Sequence, residues 1–133
     1  MLTGDLKQAA LSAAQIYVAP SYSEGFSMSV LEGMAAELPC VITTECNFPE
    51  AAAAGVAHVV DLDSDAIANA ISQCLASPQI AKAMGQRARK FILQNYTWDQ
   101  AARRLIQVYE AVIEQKPLPA WHSAIQPVIP SVI

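Results

Sequence analysis

The sequence predicts an α/β domain built on a parallel, Rossmann-like sheet flanked by helices. Three observations carry that prediction. Short apolar runs at 16–20, 40–43 and 56–60 have the length and continuity of strands buried on both faces. Segments with helical spacing or helix-end signals separate them. The first run opens into a polar turn with one glycine, followed at once by a helix, the order of a strand–helix–strand unit. Three strands fall short of the five or six of a complete doubly wound sheet, so the chain reads as part of one.

The elements follow in order. Leu2-Thr3-Gly4 looks like the end of a strand turning into a helix. Residues 5–14 carry Leu6, Ala9, Ala10, Ala13 and Ala14 at helical spacing. The strand at 16–20 enters a turn at 21–26, and a helix runs from about 27 to 36. Glu37-Leu38-Pro39 closes it before the strand 40–43. A loop at 44–49 leads to a short helix at 51–54 that Gly55 ends. After the strand 56–60, Asp63 caps a helix through Ala76. Ser77-Pro78 starts another, with Pro at its first position, reaching about Asn95 with Gly85 as a weak point. Thr97 and Gln100 form a capping box for an amphipathic helix to about Gln115. Tyr96, Trp98 and Tyr109 read as packing residues of these last helices.

By length the chain is one domain, assigned to 1–115, with a Pro-rich tail at 116–133 that holds four of the eight prolines. Only 15% of residues are charged, against about 25% in an average soluble domain, so part of the surface is expected to face protein. The net charge of −4, and a single basic cluster at Arg87-Ala88-Arg89-Lys90, argue against nucleic acid. No Lys or Arg lies between Gln8 and Ala81. Cys40, Cys46 and Cys74 have no paired spacing and suit reduced thiols in a cytoplasmic setting. With His58 and His122 they give no metal site. No apolar run approaches 18 residues, so a place in the cytoplasm, at most peripheral to the inner face of the membrane, is expected.

The informative stretch is PSYSEGFSMSVLEGMAAELP, residues 20–39. In open α/β sheets ligands sit at the carboxyl ends of strands, where this turn lies. Gly25 allows backbone geometry that a Cβ would hinder. The helix starting near Ser27 offers free amides and a partial positive charge to an anion, with Gly25, Phe26 and Ser27 as donors. Glu32 lies about 8 Å along that helix. Its neighbours Met28, Val30, Leu31, Met34 and Ala35 are apolar, and an unpaired carboxylate buried among them would be costly. It could accept hydrogen bonds from the ribose of a ligand whose phosphate sits at the helix start. Solvent exposure, or pairing with a basic side chain from elsewhere, is the plain alternative. For Glu24 the plain alternative is a surface turn residue.

The run VAPSYSEGFSMSVLEGMAAELPCVIT resembles the C-terminal-domain signature of the glycosyltransferase group 1 family, enzymes of the GT-B fold. There, two glutamates stand in a segment like PSxxEGFGxxxLEAMAxGxPVV. LTGDL, NFPE and YTWDQAARRLIQVYE extend the likeness over nearly the whole chain. The resemblance implies transfer of a sugar from a nucleotide diphosphate sugar such as a UDP- or GDP-sugar, usually with retention, without an essential metal or other cofactor. It implies that Glu32 binds the ribose hydroxyls, that Glu24 lies near the donor sugar as the catalytic carboxylate, and that the amides of Gly25, Phe26 and Ser27 meet sugar and diphosphate. Glu50 either lines the site or caps the short helix beside it. Two departures stand out. Ser27 replaces a usual Gly and either crowds the diphosphate or adds a hydroxyl contact, and Gly33 replaces a usual Ala.

The same resemblance places an acceptor-binding N-terminal domain, and the Arg and Lys that neutralise the diphosphate, upstream of this region. The first strand here would then expose a sheet edge, open to pairing with another copy. The chain is therefore expected to bind donor and, isolated, to turn over little or nothing. The alternative is a non-catalytic nucleotide-binding or assembly module that needs a partner chain.

Overall fold

The computed structural model describes residues 2–119. The expectations for His122 and the last two prolines of the tail fall outside them, as does Trp121. The chain divides into two compact units, Met1–Tyr96 and Thr97–Ile133.

The first unit holds a three-stranded, all-parallel sheet in the order β1 (Tyr17–Ala19), β2 (Cys40–Thr43), β3 (His58–Val60). Tyr17 stands opposite Cys40 and Ala19 opposite Ile42; Val41 stands opposite His58 and Thr43 opposite Val60. All four residues of β2 are buried. Side chains alternate across a strand. Cys40 and Ile42 therefore join one apolar cluster, with Val30 and Met34 of α2 (Met28–Ala35) and Ala51 of α3 (Pro49–Ala53). Val41 joins a second, with Ala70 and Cys74 of α4 (Ser64–Ala76) and Met84 of α5 (Pro78–Asn95). Full burial of side chains such as Val30, Met34 and Ile42 contributes roughly 1.5–3 kcal/mol each. The α1 helix (Gly4–Ala13) has no buried residue.

Several boundaries differ from the sequence reading, each for a local reason. Leu2 and Thr3 form no strand; they precede α1, with Thr3 extended at its N-cap. The segment after β2 makes one 3-10 turn at Thr44–Cys46. The α3 helix begins at Pro49 rather than 51, because Pro fits the first turn, whose N–H has no partner in any case. The third strand starts at His58, because Val56 and Gly55 (φ 62°) close α3 by bonding to the carbonyls of Ala51 and Ala52.

Gly33, a departure from the family pattern, and Gly85, read as a weak point, both mark close packing. A Cβ on Gly33 would lie 2.6 Å from Cγ of Tyr17, whose ring packs flat on α2. A Cβ on Gly85 would run into the carbonyl of Glu37, so α5 passes directly against the chain that ends α2. That end is a Schellman turn: Leu38 N–H bonds to Gly33 O and Glu37 N–H to Met34 O, with Glu37 at φ 63°. Arg89 donates to Ala35 O at 2.8 Å, and Arg87 to Gly55 O at 3.1 Å. The basic cluster thus satisfies carbonyls at the C-terminal ends of α2 and α3.

The second unit holds α6 (Trp98–Ile113), capped by Thr97, whose hydroxyl accepts from Gln100 N–H at 3.2 Å. Trp98 and Tyr109, read as packing residues, are exposed, at 87% and 58%. Neither belongs to an apolar cluster among the described residues. Tyr96 does pack, against Phe26, Phe48 and Phe91.

Candidate functional site

At the carboxyl ends of β1 and β2 two turns are laced together. Thr43 Oγ1 donates to Ser21 O at 2.8 Å, Glu24 N–H to Glu45 O at 3.0 Å, and Asn47 Nδ2 to Gly25 O at 2.9 Å. Asn47 reaches that carbonyl from the left-handed region, φ 52°, which Asn tolerates better than most residues. Phe26 packs edge-on to Phe48 at 5.4 Å between centroids and stacks on Tyr96 at 5.8 Å. The turn carrying Glu24, Gly25 and Phe26 is therefore braced by the loop after β2.

Ser27 is buried and forms the N-cap of α2, but its hydroxyl pairs with Ser29 Oγ at 3.1 Å and not with a helix amide. The first-turn amides of α2 are left without a side-chain cap among the described residues, aimed at the same end of the sheet. They form a partial positive pole.

Glu32 corrects the sequence picture. The buried stripe of α2 is Val30, Leu31, Gly33 and Met34, so Glu32 points away from the core. Its side chain is 42% exposed and pairs with Lys7, Nζ to Oε1 at 2.6 Å. Periodicity around α2 keeps the carboxylate out of the apolar cluster, so no large desolvation cost bears on it. Glu24 is exposed and accepts from Ser21 Oγ at 3.2 Å. Glu50 lies half-buried in the first turn of α3, where a carboxylate is favoured by the helix dipole; among the described residues no side chain caps that helix.

Gly25 also departs from expectation. Its φ is not in the left-handed region, and a Cβ there would meet nothing within 4 Å. The space in front of it is open.

The structure thus brings Glu24, Gly25, Phe26, Ser27 and the start of α2 to one face, with Glu32 about one turn further on. Sequence reasoning missed Lys7. The signal was there, since Lys7 is the lone cation before Lys82 and falls on a helix beside the strand that enters the turn. Two hollows of the first unit lie elsewhere. One of about 560 Å³ is lined by Gly55, His58, Cys74 and Arg87, and one of about 420 Å³ by Gln15, Glu37, Pro39 and Lys82. Both gather residues that precede strands, at the amino end of the sheet. At the carboxyl end, the space in front of Gly25 is open.

The family model for glycosyl transferases group 1 matches residues 3–91, a span that includes every element of this face. The chain belongs to the group 1 glycosyl transferases. Similar relatives include a lipopolysaccharide core biosynthesis mannosyltransferase from Rhizobium leguminosarum bv. viciae, 30% identical over 100 residues that make up 74% of this chain and 28% of that protein. A D-inositol 3-phosphate glycosyltransferase from Streptomyces griseus is 32% identical over 103 residues, 76% of this chain and 22% of its own length. Among solved structures, sucrose-phosphate synthase from Thermosynechococcus elongatus superposes with a TM-score of 0.70 at 28% identity, covering 80% of this chain and 27% of that one. The chain thus spans less than a third of the relatives it matches, and its sheet is a portion of the GT-B fold.

Within the group 1 glycosyl transferase segment, no cluster of three or more His, Cys, Asp or Glu is placed to hold a metal among the described residues. No described helix is long and apolar enough to cross a membrane.

Proposed function

We propose that this chain carries one half of the donor site of a retaining glycosyltransferase, a hexosyltransferase that uses a nucleotide diphosphate sugar such as a UDP- or GDP-sugar. The observation that carries this reading is the position of Glu32. It is half-exposed about one turn beyond the uncapped amides of α2, at the carboxyl end of a parallel sheet. Its Oε1 is taken by Lys7, which leaves Oε2 to accept from a ribose hydroxyl. The amides of Gly25, Phe26, Ser27 and the first turn of α2 supply donors for the diphosphate and sugar. The open space before Gly25 lets the ligand approach the backbone. Glu24, on the same turn, lies nearest to where the transferred sugar would sit. Glu50 borders the face from α3.

Among the described residues, three of the cations are already engaged. Lys7 is engaged by Glu32, while Arg87 and Arg89 are spent on carbonyls at helix ends. We therefore expect the chain alone to bind donor weakly and to turn over little or nothing, with cations and acceptor site supplied by an N-terminal domain. Three buried free thiols fit a cytoplasmic setting. A second reading, a non-catalytic module that assembles with another chain, draws on the outer edge of β1, which among the described residues pairs only with β2 and leaves Val18 partly exposed.

The test is an equilibrium titration of the chain with UDP and with GDP. At least one should bind, and Glu32→Ala should weaken it roughly tenfold or more, the loss of one hydrogen bond to a charged group. Unchanged affinity in Glu32→Ala would remove the ribose role.

A further inference from the structure

We propose that Lys7 is a positioning residue of the donor site, holding the Glu32 carboxylate so that the pair distinguishes a ribose from a 2′-deoxyribose. The proposal rests on the ribose reading of Glu32 given above.

Lys7 and Glu32 meet at 2.6 Å across 25 positions of sequence, on two different helices. The contact is poorly explained as a stability device. Both side chains are more than a third exposed, and ion pairs in such positions add little to folding. It does not fasten a buried helix either, because α1 has no buried residue. Among the described residues it is the sole side-chain hydrogen bond from α1 to another element. What the contact does fix is the carboxylate itself, a flexible side chain on the solvent side of α2 that would otherwise sample several rotamers.

The chemistry of the pair fits a vicinal diol. A lysine ammonium has three N–H donors, of which Glu32 Oε1 takes one. The remaining N–H groups and the free carboxylate oxygen present donor and acceptor side by side. Each sugar hydroxyl is both donor and acceptor, so two adjacent hydroxyls can satisfy both partners. A 2′-deoxyribose has one hydroxyl fewer and leaves a polar group of the pair without its ligand partner. Arg at position 7 would keep the charge and the donors; Met would keep the length and lose both.

Titration of the chain and of its Lys7→Met, Lys7→Arg and Glu32→Gln variants with UDP, 2′-deoxy-UDP, GDP and 2′-deoxy-GDP tests this, with thermal melts by circular dichroism as a fold control. The unaltered chain should prefer the ribonucleotide by roughly tenfold. Lys7→Met should bring the ratio close to one at unchanged helicity, and Lys7→Arg should restore most of it. A ribose preference kept in Lys7→Met but lost in Glu32→Gln would overturn the role of Lys7 and leave that of Glu32 standing. Equal binding of both sugars by the unaltered chain, or none, would overturn the ribose reading and this proposal with it.

Discussion

Cys40 shows how far a side chain's chemistry is set by its place. It lies in β2 with no exposed surface. Burial first, and the nearby Cys74 second, push its thiol from 9.0 up to about 12. An unfolded Cys40 loses its proton near 9.0 while the folded one keeps it. Its contribution to stability is therefore fully present below pH 9 and is lost as pH rises through about 12. The thiolate is the nucleophile, so Cys40 should resist iodoacetamide at pH 8 in the folded chain. Mass spectrometry should find it alkylated only after unfolding; rapid native labelling would contradict its burial. Glu32 carries the opposite lesson. Its apolar neighbours in sequence suggested a buried carboxylate, but three of them, Val30, Leu31 and Met34, share the stripe that turns it outward. What marks it is the company of Lys7 and the α2 amides, which only the folded chain brings together.

At the scale of elements, the glycines separate packing from access. Gly85 abuts the backbone at Glu37, which cannot give way as a side-chain tip can. Gly85→Ala should therefore cost at least about 2 kcal/mol as overpacking forces α2 and α5 apart, despite the better helix propensity of Ala. Gly25 has free space around it. Gly25→Ala should leave stability within about 0.5 kcal/mol, as for a surface change, yet reduce nucleotide affinity by crowding the ligand. Urea unfolding of both variants, with a UDP or GDP titration of the second, checks the contrast. Equal stability losses would contradict it. The strands and the helices capped by Asp63 and Thr97 were legible because local signals and burial agree there: both side chains accept the amide three residues on. Gly33 was legible only as a departure from the family pattern, and Gly85 only as a weak point in its helix. Their partners, Tyr17 and Glu37, stand 16 and 48 positions away, and no local pattern pairs them. Glu37 itself stands where the family pattern has Gly, in the left-handed conformation that explains that Gly.

At the scale of the whole molecule, the end of the sheet proposed to bind donor is not where the two described hollows lie. The two described hollows gather residues at the amino ends of the strands, while the carboxyl end brings together an anion-favouring helix start, two carboxylates and one engaged lysine. The proposed half-site would look like this, since a cleft between two domains has only one wall in either. The membership of the family was readable from the stretch 20–39, because that segment combines the turn, the helix start and both carboxylates in one run. The bracing of that turn by Thr43, Asn47 and Phe48 was not, because it is tertiary. The measurement that bears most directly on the central claim is amide-resolved NMR of the chain during titration with UDP and GDP. The largest shifts should fall on residues 24–29, on Glu32 and around Asn47 to Glu50. Shifts concentrated instead on His58, Cys74, Ser77 and Arg87, at the amino end, would contradict the donor-site assignment.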